Sequence, residues 1–183
     1  SDPKDFGIER ATDTNVSEID VLVIYSSAAK SSAGGDDNIR NLIYSSFVQT
    51  NQSFTNSYVD LSIYPVFVEE TSYEPASYSD GLYCITETDD DCLDYVHDYR
   101  ETYYADLVVY VVNDNTYCGL SWHVKHFNEY SDQNSFSLVN WRCLGNNQYA
   151  LAREIAKNLG SQTDHESAGY EEGAFPYSYG YQT

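Results

Sequence analysis

Nearly continuous apolar positions run from about Ile19 to Tyr25 in EIDVLVIYSS. Without alternation to polar residues, this pattern predicts a central strand covered on both faces. ADLVVYVVND (105–114) predicts a second such strand. VDLSIYPVFVEE (59–70) predicts another, with Pro65 marking a bulge or a place near a sheet edge. YCGLSW (117–122) and FSLVNW (136–141) predict shorter strands. The period then changes. In DNIRNLIYSSFVQTNQSF, residues Ile39, Ile43, Phe47 and Val48 fall near one helical stripe, with Asp36 or Asp37 as the cap. CLDYVHDYRETYY places Leu93, Val96 and Tyr99 or Arg100 on one side of a helix. NNQYALAREIAKNLG predicts a last helix, capped by Asn146 or Asn147 and ended by Gly160. Residues 71–92 have the composition of an acidic loop, and residues 1–18 that of a polar N-terminal extension. The alternation of strands and helices implies α/β or α+β with a mixed sheet, in one domain over residues 19–183.

Charge narrows the function classes. The chain of 183 residues carries a formal net charge of -20. That balance argues against nucleic acid and against an anionic membrane surface. No run of about 18 apolar residues suggests membrane insertion. Ser1 is not an ordinary start, which fits a mature or excised chain. Four cysteines, Cys84, Cys92, Cys118 and Cys143, fit an extracellular or cell-surface setting and allow three disulfide pairings. A zinc site of four thiolates lacks the paired spacing. TETDDDC is the densest acidic run but lacks the spaced oxygens of a calcium loop, leaving only weak surface calcium binding open. Sequons at Asn15 and Asn51 permit glycans. The 19 tyrosines suit protein interfaces. They are dense near the end, where Tyr170, Phe175, Tyr177, Tyr179 and Tyr181 form a candidate interaction surface.

One stretch suggests chemistry. Zinc hydrolases place two histidines at i and i+4 of a helix, a glutamate beside the first, a glycine at the helix end and a third histidine beyond it. REIAKNLGSQTD (153–164) has this rhythm without the histidines. In register with H-E-x-x-H-x-x-G-x-x-H-D, the segment resembles the metzincin zinc endopeptidases, near the reprolysin-like and bacterial peptidyl-Asp metallopeptidase groups. Glu154, Gly160 and Asp164 match, while Arg153, Lys157 and Thr163 stand at the three ligand positions. EIDVLVIYSSAAK, the stretch 39–66, ADLVVYVVNDNTYCGLSW and GAFPYSYGY look like further family segments in order, so the resemblance runs roughly from Ile19 to Tyr181.

The resemblance implies a metzincin-like, mostly parallel twisted sheet with packed helices. The absence of methionine and the end at Thr183 imply a C-terminal subdomain that is truncated, processed or reduced. The favoured cysteine pairing is Cys84–Cys92 with Cys118–Cys143, the latter suggested by the family pattern. Loss of the ligand histidines implies no zinc cofactor and no enzyme. A relocated site on His123, His126 or His165 needs further ligands, and His97 reads as an ordinary helix residue. Glu154 then has no metal-bound water to act on and serves structure. Arg153 and Lys157, both cations, each need an acidic or carbonyl partner. The expected function is a non-catalytic extracellular structural or protein-interaction domain whose partners are other protein chains, including copies of itself. The alternatives are a peptide- or ligand-binding pseudo-protease acting as decoy or receptor, and an active metallopeptidase with unusual ligands.

Overall fold

The computed structural model describes residues 3–128 and 131–180. Strand β1 (Ser17–Ser26) lies between β2 (Leu61–Thr71) and β3 (Leu107–Val112). Five strands form one sheet in the order β2-β1-β3-β5-β4, with β5 at Phe136–Asn140 and β4 at Gly119–Ser121. All pairings are parallel except β4 with β5. This is the mixed, mostly parallel α/β sheet expected. Pro65 fits both halves of its expectation. It lies on edge strand β2, and the register against β1 shifts between Val21 and Leu22, opposite Pro65 and Phe67.

The continuous apolar runs are explained by two core layers. In β1 the side chains of Val21, Val23 and Tyr25 enter one layer, and those of Leu22 and Ile24 the other. Alternate residues of a strand point to opposite faces, so both faces must be apolar when both are covered. Helices α1 (Ser27–Ala33), α2 (Asp36–Asn56) and α5 (Ala150–Asn158) cover the first face through Ala29, Ile39, Ile43, Phe47, Leu151 and Ile155. Helices α3 (Tyr78–Thr86) and α4 (Tyr95–Thr102) cover the second through Leu82, Ile85 and Val96. Each fully buried aliphatic side chain contributes about 1.5–3 kcal/mol. The chain closes with β6 (Gln162–Asp164), α6 (His165–Ala168) and β7 (Tyr179–Gly180), where β6 and β7 form a small parallel pair.

Several local expectations change. Residues 71–92 are not all loop. Ser77 accepts a hydrogen bond from the Asp80 amide and starts α3, which buries Tyr78, Leu82, Cys84 and Ile85. Asp36 and Asp37 are not the cap of α2, since Gly35 holds that place and Asp36 bonds Arg40 and the Tyr25 hydroxyl. Tyr149, in the left-handed region, precedes α5 in place of Asn146 or Asn147. Gly160 does follow α5 at φ 83°, where its amide and that of Ser161 satisfy the carbonyls of Lys157 and Ala156. Near the N-terminus Phe6 packs against Tyr44 and Ile8 is buried, while residues 9–15 are exposed. Disulfides join Cys84 to Cys92 and Cys118 to Cys143. Among the described residues, no helix is long and apolar enough to cross a membrane.

Candidate functional site

Helix α5 turns one face inward through Leu151, Glu154, Ile155 and Asn158. Glu154 is completely buried. A buried carboxylate costs several kcal/mol unless it is paired and hydrogen-bonded. Three donors meet it. Ser121 Oγ of β4 donates at 2.7 Å, Lys157 Nζ at 2.8 Å and Arg153 Nε at 2.9 Å. Both cations thus find their acidic partner in the same residue. The side chain of Arg153 is 48% exposed and that of Lys157 25%, so their charged ends reach the surface while Glu154 does not. Gly119 is needed beside this cluster, because a Cβ there would lie 2.6 Å from Glu154 Cγ.

The cluster lies against sheet edge β4, which several contacts fix in place. Cys143 holds Cys118 immediately before β4. The Tyr78 hydroxyl donates to the Tyr117 carbonyl at 2.7 Å. Burial, reinforced by Asp114 and Glu154, pushes the Tyr78 hydroxyl pKa well up, so it remains a donor. On the other side, Asn158 Nδ2 donates to the carbonyls of Trp122, Asn134 and Phe136. Sequence reading missed Gly119, Ser121, Tyr78 and Asn158. Their roles depend on partners far along the chain.

Arg153, Lys157 and Thr163 line one cavity of about 310 Å³ with Gln162, Asp164 and Gly180. Asp164 Oδ1 accepts the amides of Glu166 and Ser167 and so starts α6. The histidines are scattered. His123 and His126 do not share a helix, since residues 122–128 are irregular. His123 Nε2 is buried without a partner among the described residues, and burial, with Lys125 and Lys157 adding to it, lowers its pKa. His126 is exposed, and His165 stacks on Tyr179 with ring centroids 3.6 Å apart. His97 Nε2 lies 3.2 Å from the Glu87 carbonyl. No group of three or more His, Cys, Asp or Glu suited to a metal occurs among the described residues.

Asn51 is a poor glycan acceptor. Its amide bonds both the carbonyl and the N–H of Ile63 from within α2, whereas Asn15 is exposed. Of the tail aromatics, Tyr170, Phe175 and Tyr177 are exposed, and Tyr179 is half-buried. Tyr181 lies outside the described residues.

The chain is 29% identical to peptidyl-Asp metalloendopeptidase of Stenotrophomonas maltophilia strain K279a over 182 residues, 99% of this chain and 41% of that protein. The protein of the same name in Xanthomonas campestris pv. campestris is 29% identical over 173 residues, 94% of this chain and 39% of the relative. The chain is thus similar to metallopeptidases over nearly its whole length. It spans only about two fifths of the length of these curated relatives. No family model matches. A solved structure described as "Structure of a chaperone-substrate complex" superposes with a TM-score of 0.66 at 20% identity, over 81% of this chain and 24% of that one, a likeness of fold.

These relatives correct two expectations. They are named as enzymes, which overturns the reading of the chain as no enzyme. They are named as metallopeptidases, which overturns the expectation of no zinc cofactor, because that name implies the metal. The residues at the three motif positions nonetheless do not fit zinc. The Arg153 guanidinium has no free lone pair, Lys157 bonds Glu154 as an ammonium, and Thr163 offers only a hydroxyl. No catalytic step follows from them.

Proposed function

We propose that this domain binds extracellular polypeptide in extended form along the outer edge of β4. The observation that carries this reading is a short edge strand that is already immobilised. Among the described residues β4 pairs with β5 alone, and its flanks are held by Cys118–Cys143, Tyr78 and Asn158. Strand addition needs main-chain donors and acceptors in a fixed line, and an ordered edge lowers the entropy lost on binding. The similarity to metallopeptidases supports this reading, since the relatives' name describes action on peptides. The two disulfides support an extracellular setting. Fluorescein-labelled octapeptides from a mixed library test the idea. For a bound octapeptide, N-methylation at alternate backbone amides should weaken binding at least tenfold, while methylation of the intervening amides changes little. Equal tolerance at both sets would rule out strand pairing.

A second reading has its own observation. Tyr170 and Tyr177 are almost fully exposed, and Phe175 stacks between Phe127 and Tyr177. Such a patch supports association with another protein chain, including a second copy. Light scattering across salt and calcium concentrations should show mass rising as the charge of -20 is screened. A constant monomer mass throughout counts against it.

A further inference from the structure

We infer that Arg153 and Lys157 form a carboxylate-binding subsite in the cavity lined by α5 and β6. The inference deepens the peptide-binding reading and rests on it for the source of the carboxylate. It starts from the disagreement between the metal that the relatives' name implies and the two cations that stand at the motif positions.

Only nine basic residues occur in the chain. Four of the others are ion-paired elsewhere, Arg10 with Glu18 and Asp20, Lys30 with Glu70, Arg40 with Asp36, and Lys125 with Glu171, and Arg142 lies over the Trp141 ring. Arg100 donates to three backbone carbonyls. Arg153 and Lys157 instead share one carboxylate and leave donors unspent. Glu154 takes only Nε of Arg153, and among the described residues the two terminal nitrogens have no protein partner. Lys157 spends one of its three N–H groups.

A guanidinium fork and an ammonium one helical turn apart match the two oxygens of a carboxylate. Both line the cavity with Gln162 and Thr163. Glu154 cannot fill the role of ligand, because it lies buried beneath the pair. Asp164, which also lines the cavity, uses Oδ1 to start α6. Two cations and two carboxylates leave the site balanced in charge before a ligand enters. Recognition therefore comes from aimed, unspent N–H groups rather than from net charge. Glu154 also keeps Arg153 from swinging away, so a positioned fork meets the ligand. Ser121 ties the same carboxylate to β4. A peptide paired on that edge lies beside the subsite, and its carboxylate comes either from the chain terminus or from an acidic side chain.

Acetate is the probe for the subsite itself. In the folded protein, acetate at millimolar concentration should shift the Arg153 Nε–H NMR resonance in a saturable way, and chloride at equal ionic strength should not. Arg153→Gln should weaken acetate binding at least tenfold, read from backbone amides of residues 157–164. Arg153→Lys should restore part of it. Melting curves verify that each variant is folded. A response to acetate no larger than that to chloride, or an unchanged affinity in folded Arg153→Gln, overturns the inference. Octapeptides then identify the source, by comparing a free with an amidated C-terminus and Asp or Glu with Asn or Gln. Acetate binding without any peptide binding removes only the strand-addition reading. Peptide binding that ignores both changes, with acetate silent, removes only the carboxylate subsite.

Discussion

Replacing both Arg153 and Lys157 by methionine should cost about 3–5 kcal/mol of folding stability, the usual penalty for leaving a buried charge without its partner. Glu154 would keep only the Ser121 hydroxyl. The loss comes from desolvating the carboxylate, because the cations themselves are partly in water. A third change separates this cause from lost packing. Adding Glu154→Gln removes the buried charge while retaining a group that can accept from Ser121, so Arg153→Met/Glu154→Gln/Lys157→Met should regain most of the stability. Urea unfolding of the double and triple variants measures the difference. Equal stability of the two would show that the cluster is not held by charge compensation.

Loss of the Cys118–Cys143 bridge should be of similar size. Its sequence separation of 25 residues corresponds to about 3–4 kcal/mol if the bridge acts by restricting the unfolded chain. The location of the loss is more informative than the total. The bridge ties the residue before β4 to the turn after β5, whereas β1 and β3 are held by neighbours on both sides. In Cys118→Ser/Cys143→Ser, amide exchange at residues 119–121 and 136–140 should therefore accelerate more than exchange at 21–25 and 107–112 after allowance for global stability. Uniform acceleration would mean that the bridge does not specifically hold the edge. Peptide affinity should fall in the same variant, since a looser β4 must be ordered on binding.

The sequence by itself determined the elements whose information is local. Val21–Tyr25 and Leu107–Val112 are apolar on both faces, and no exposed placement could hide them. Pro65 lacks an N–H, which confined its strand to an edge or a bulge. The helical spacing of Ile39, Ile43 and Phe47 marked α2. Helix α3 was hidden because its apolar positions Tyr78, Leu82 and Ile85 lie within an acidic stretch, and their burial against β5 outweighs that composition. Capping was misassigned at α2 because Asp36 binds Tyr25 and Arg40. Tertiary structure alone decided the state of Glu154. Ser121 lies 33 residues away and Gly119 clears the space for its side chain, so only the docking of β4 on α5 buries this carboxylate and leaves its two cations facing the cavity.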